Sequence, residues 1–152
     1  ALDGFAHAAE AILGEAVGRR DRAAFQRSMR VVFLWAGGVG VLTLAIYAIA
    51  GHGLIALLTG IPEVPAAAYL LWPVVLPVIA VWAYTYDGVY LAATRTTAMR
   101  NTVMLSFAVY VTILFTLVPV YGNTALWIAL ATFLGLRGLL LPLLYPALAR
   151  SI

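Results

Sequence analysis

Three groups of ionisable side chains sit where an apolar sequence ordinarily excludes them. Asp87 lies inside the run 66–94, which carries no other charge, and Arg137 lies alone inside the run 124–149. Asp3, His7 and Glu10 fall at i, i+4 and i+7 of an N-terminal apolar segment, which places them on one helical face. Insertion of Asp or Arg at the centre of a membrane helix costs about 2.5–3.5 kcal/mol, and such residues face the bundle interior and mark pathways. An Asp-His-Glu row could store or relay protons, since histidine titrates near neutrality. It could equally be the polar end of a helix packed on polar partners, with Glu10 paired to Arg19 or Arg20.

Asp87 is the sharpest of these residues. Tyr84 and Tyr90 flank it at i−3 and i+3, and Trp82 and Tyr86 are close by. A carboxylate beside aromatic rings suits a lipophilic cation, through charge pairing and cation–π contact. It can also serve as a proton site. The alternative is a static ion pair with Arg137, and both readings stand at this level. Pro73 and Pro77, one turn apart, predict a kink, of a kind that transporters use near their sites. His52, between Gly51 and Gly53, reads as interfacial. The glycines of 37–40 and 135–138 permit close helix packing.

Other chemistry is excluded. There is no cysteine, so no disulfide, thiolate metal site or cysteine nucleophile. The two histidines, His7 and His52, fit no zinc-ligand spacing, and no metal or other cofactor is expected. No phosphate-binding loop, dinucleotide fingerprint or nucleophile elbow is present. The chain reads as no enzyme.

The elements that carry these residues follow from composition. Of the 152 residues, 64% are hydrophobic, against roughly 45–50% in soluble domains. Only 10% are charged, where about 25% is usual. Mean hydropathy is +1.02. The expectation is an all-α integral membrane protein, one membrane domain over 1–152. It has four full spans and a partial N-terminal one, as helices near 1–18, 28–60, 64–94, 99–120 and 123–149. Each of the four reaches the ~20 residues a span needs, and none alternates with period two as a barrel strand would. Pro62 and Pro65 predict a break before the third helix. Gly122-Asn123 predicts a turn, with Asn123 or Thr124 as a cap. Tyr69, Trp72, Tyr121 and Trp127 lie where an aromatic belt would.

The basic residues are all arginines, and they alternate by loop. Arg19, Arg20, Arg22, Arg27 and Arg30 precede the first full span, Arg95 and Arg100 separate the second and third, and Arg150 ends the chain. The loops 60–65 and 121–123 have none. The positive-inside rule then puts the Arg-bearing connections and the C-terminus in the cytoplasm. The net charge of +3 is therefore a topology signal, with no nucleic-acid partner expected. The basic segment 18–30 could also attract anionic membrane lipid.

Two stretches resemble a known family. One is the whole segment Ala1-Leu-Asp-Gly-Phe-Ala-His-Ala-Ala-Glu-Ala-Ile-Leu-Gly-Glu-Ala-Val-Gly-Arg-Arg-Asp-Arg22. It resembles the end of the eighth helix and the following loop of multidrug and toxic compound extrusion (MATE) transporters, in their DinF-like branch. The other is Tyr86-Asp87-Gly-Val-Tyr-Leu-Ala-Ala-Thr-Arg95-Thr-Thr-Ala-Met-Arg100-Asn101, which is similar to the close of the tenth helix. The resemblance covers essentially the whole chain. It implies most of one six-helix lobe, from the end of helix eight through helix twelve, in a bacterial-type cytoplasmic (inner) membrane. It further implies a missing N-terminal lobe, and export of small lipophilic, mostly cationic compounds in exchange for H⁺ or Na⁺ by alternating access. Asp87 is then the cation- or proton-coupling candidate, with Asp3, His7 and Glu10 behind it. Tyr84, Tyr86, Tyr90 and Trp82 become cavity candidates. A flippase for lipid-linked precursors, or a non-transporting scaffold subunit, is the alternative. A flippase would need a strongly basic cavity, and Arg137 is the only intramembrane base.

Overall fold

A computed structural model describes residues 2–59 and 71–149, with the side chains of residues 2, 3, 5, 52, 55, 56, 58 and 59 left aside. Every described element is an α-helix: α1 (Leu2–Gly18), α2 (Arg22–Thr59), α3 (Leu71–Ala92), α4 (Thr96–Tyr121) and α5 (Asn123–Ala149). Among the described residues, α2 through α5 are long and apolar enough to cross a membrane. The all-α membrane fold expected from composition is therefore present. Pro62, Pro65, Tyr69 and the side chains of Asp3 and His52 lie outside the described residues.

Lipid leaves a helix no water to bond to, so each polar group must find a partner inside the protein. The hydroxyls obey this locally. Thr85, Thr102, Ser106, Thr112, Thr116 and Thr132 each donate to the carbonyl four residues back, at 2.6–2.9 Å. Serine and threonine thus lie within the spans without interrupting them.

The connections differ from expectation. Helix α2 begins at Arg22, six residues before the expected 28, so Arg22, Arg27 and Arg30 stand on a helix and only residues 19–21 connect. Two local devices cause this. Arg20 takes a left-handed conformation (φ 53°), and the amides of Arg20 and Asp21 bond back to Val17 and Ala16, closing α1. The Asp21 side chain then accepts the Ala24 amide at 2.8 Å and caps α2. At 38 residues α2 is about 57 Å long at 1.5 Å per residue, well beyond the ~30 Å hydrocarbon core, so its arginine-bearing turns extend past it. The Arg22 guanidinium also donates to the carbonyl of Ala149, tying the start of α2 to the end of α5. Asp21→Ala should cost about 1 kcal/mol through loss of the cap. The thermal midpoint of the full-length protein in detergent would show it, and an unchanged midpoint would remove the cap from this account.

The same left-handed device closes α3. Thr94 has φ 55°, and the amides of Thr94 and Arg95 bond back to Leu91 and Tyr90. Helices α4 and α5 meet at Gly122 (φ 56°), where a side chain would be strained. The turn is where the sequence placed it, but Asn123 and Thr124 lie inside α5 and neither caps it. The Gly122 carbonyl receives the Ala125 amide instead. Pro77 is interior to α3, and Pro73 lies one turn before it in the same described helix.

Helix α3 is the hub and touches every other helix. One apolar cluster joins α1, α2, α3 and α5 near the 19–21 connection, through Leu13, Phe25, Val89, Tyr90 and Leu141. A second, at the far end of α3, gathers Leu76, Ala80 and Leu134 with Trp72 and Trp127. Outward-facing side chains such as Leu34, Trp35, Ile49 and Phe115 are large and apolar. In water such a surface would drive association; acyl chains accept it.

Candidate functional site

With the hydroxyls satisfied inside their own helices, few buried polar atoms are left over. Among the described residues, the buried side-chain atoms without a partner are Asp87 Oδ1, Arg137 Nε and Trp127 Nε1. Two of the three belong to one ion pair. Arg137 Nη2 on α5 donates to Asp87 Oδ2 on α3, and the residues are 8% and 3% exposed. The pair lies between the two apolar clusters, one turn from a second bridge between the same helices. There the Tyr90 hydroxyl donates to the Leu141 carbonyl at 2.8 Å.

Contact between one arginine nitrogen and one carboxylate oxygen leaves half of each group's usual two-pronged bonding unused. Aromatic rings complete the surroundings. The Arg137 guanidinium carbon is 5.4 Å from the Tyr84 ring centroid and 5.3 Å from that of Phe133. Both distances lie within cation–π range. Charge and rings together form a cage around a planar cation, and in this structure the cation is the protein's own.

The helices position this cage by close approach. Gly88, next to Asp87, lies against the α1 backbone. A Cβ there would collide with the Ala6 carbonyl and come within 2.8 Å of Ala9 Cβ. Small residues on both helices let α1 lie flush on α3 at the residue next to Asp87.

The remaining site candidates divide. Tyr84 is part of the cage. Tyr90 shares its helix side, as expected, but is a core residue at 1% exposure, with its hydroxyl committed to Leu141. Trp82 and Tyr86 turn away towards α2, with Phe33 ring centroids at 4.8 and 4.7 Å. Trp82, 42% exposed, lines a cavity of about 340 Å³ with Val78, Ile79, Gly135, Gly138 and Leu139. Neither Asp87 nor Arg137 lines it. Phe133 was missed, although its place one turn before Arg137 was a signal available in the sequence.

Of the N-terminal polar row, His7 and Glu10 are not brought to Asp87, and the side chain of Asp3 lies outside the described residues. Ala6, Ala9, Leu13 and Ala16 form the buried face of α1, so His7 and Glu10 point elsewhere, with the His7 side chain 72% exposed. The expected Glu10–arginine pair is corrected as well. Glu10 lies 3.7 Å from His7, while Arg19 pairs with Glu15 at 2.7 Å. One turn along a helix is a shorter reach than two or three.

Fold and site together define a multi-pass α-helical membrane protein built around a buried acid–base pair. The sequence comparison narrows this further. The chain is 45% identical over 141 residues to DNA damage-inducible protein F of Escherichia coli (strain K12), which covers 91% of this chain. That relative, DinF, is a member of the MATE family, whose members are transporters and not enzymes, and the resemblance seen in the two sequence stretches is shown by this match. The chain spans about 30% of the relative's length. No family model and no solved structure matches the chain.

Proposed function

We propose that this chain is the greater part of the C-terminal lobe of a cation-coupled exporter, whose N-terminal lobe completes the transport path. The protein moves lipophilic, mostly cationic compounds outward in exchange for H⁺ or Na⁺ by alternating access. It sits in a bacterial-type cytoplasmic membrane with its Arg-bearing connections and C-terminus inside. The observation that carries this reading is the buried Asp87 carboxylate with one oxygen unpartnered, in a chain 45% identical to a MATE-family member. A carboxylate in an apolar bundle gains a great deal from any cation that reaches it. Coupling requires only that this gain differ between inward- and outward-facing states.

A second reading has a specific observation behind it. The Asp87–Arg137 pair also suits a static brace in a non-transporting subunit. The two separate in proteoliposomes holding the full-length natural protein. An imposed proton or sodium gradient should drive movement of ethidium or tetraphenylphosphonium, and dissipating that gradient should stop it. Absence of movement under both gradients would favour the brace.

A further inference from the structure

The ion pair raises a difficulty for any cation exchange at Asp87, because the carboxylate already has a cation. Four features of the geometry bear on it. The pair uses one nitrogen and one oxygen. Asp87 Oδ1 and Arg137 Nε are both buried and unpartnered. The guanidinium lies over two rings, Tyr84 and Phe133, at nearly equal distances of 5.4 and 5.3 Å. Arg137 also stands on a long, flexible stem, while Asp87 is held close to its backbone on the best-packed helix.

A brace selected for strength alone would use both prongs of the arginine and satisfy its third nitrogen. What is built instead is an anionic site beside aromatic rings, with one buried polar atom of each partner left unbonded. Carboxylate plus rings is also the chemistry that recognises a lipophilic organic cation. We infer that Arg137 is a tethered occupant of a cation cage made by Asp87, Tyr84 and Phe133, and that a lipophilic organic cation takes this cage only by displacing it. This inference rests on the exporter reading above and adds a regulatory part to it. Arg137 lowers the apparent affinity for substrate by the fraction of time it fills the cage. It also keeps Asp87 neutralised between cycles, so the empty carrier never holds a bare charge in the bilayer.

The arithmetic sets the size of the effect. If Arg137 fills the cage nine-tenths of the time, apparent affinity is reduced about tenfold, because only the open fraction binds. The test is equilibrium binding of tetraphenylphosphonium to the full-length protein in detergent, at fixed pH and salt. Arg137→Gln should tighten binding about tenfold by the same relation. Arg137→Lys keeps the charge and so protects the fold where Gln does not. It loses the planar guanidinium that lies over Tyr84 and Phe133, and should tighten binding by a smaller factor. Phe133→Ala should weaken binding when combined with Arg137→Gln, and Asp87→Asn combined with Arg137→Gln should remove it.

The failures are distinguishable. Binding that the double change Asp87→Asn with Arg137→Gln abolishes, but that neither Arg137 variant tightens, keeps the exporter reading and overturns this inference. Looser binding in the folded Arg137 variants overturns it too, since the arginine would then be helping the ligand. No binding by the wild type or any variant overturns both the exporter reading and the inference.

Discussion

Asp87→Asn in the full-length protein should abolish gradient-driven export of a lipophilic cation, and should also destabilise the protein by about 3–5 kcal/mol. The two effects have different causes. Export is lost because the amide has no charge with which to hold a cation. Stability is lost because Arg137, only 8% exposed, is left charged with its one carboxylate partner gone. On sequence alone the substitution would be expected to leave expression intact, and the ion pair corrects that. A simple loss of export in this variant would therefore be ambiguous.

The double change Asp87→Asn with Arg137→Gln resolves the ambiguity. Neither group is then charged, and the two amides can bond to one another across α3 and α5. Stability should return to within about 1–2 kcal/mol of wild type, since replacing both members of a buried pair is far cheaper than removing one. Export should remain absent. Thermal unfolding in detergent and dye movement in proteoliposomes, measured on the same preparations, give the two readouts. If the double variant regains export as well as stability, Asp87 has no part in the mechanism and the pair is a brace.

The second large effect is expected at Gly88, where no ligand is involved. Gly88→Ala should cost about 3 kcal/mol, at the upper end of overpacking losses. The added Cβ would collide with the Ala6 carbonyl and approach Ala6 Cα to 2.9 Å and Ala9 Cβ to 2.8 Å. None of these atoms is the far end of a flexible side chain that could turn aside. Helix α1 would have to lift off α3 at the residue next to Asp87. Gly135→Ala supplies the contrast. Nothing lies within 4 Å of its would-be Cβ, and alanine is favoured over glycine in a helix by up to about 1 kcal/mol. Gly135→Ala should leave the thermal midpoint unchanged or raise it. Equal losses at the two positions would show that the α1–α3 contact is not as close as described.

What could be read from the residues alone was large, because the membrane restricts the choices. A span of twenty apolar residues has to be a helix there, since no other single-segment form bonds its own backbone. The helical class, the four spans and the turn at Gly122 were therefore legible. So was the oddity of Asp87 and Arg137, since a charge is conspicuous where there are almost none. The pairing of these two was legible only as one of two alternatives. The early start of α2 was hidden because it depends on a left-handed turn at Arg20, a residue with no strong preference for that conformation.

Tertiary structure decided which residues meet. Tyr84, Tyr86, Trp82 and Tyr90 were equal candidates along one helix, and they meet three different neighbours: the guanidinium for Tyr84, Phe33 for Trp82 and Tyr86, and the Leu141 carbonyl for Tyr90. Phe133 entered the site from another helix. The row of Asp3, His7 and Glu10 shares one face of α1, yet Ala6 and Ala9 are what α1 turns towards Gly88. The physical reason is the same in each case. Periodicity within a helix shows which residues share a face, and it follows from local geometry alone. Which face meets which neighbour depends on the rotation and axial register of whole helices, and those are set by small-residue contacts such as Gly88 on Ala6, between segments some eighty residues apart in the chain.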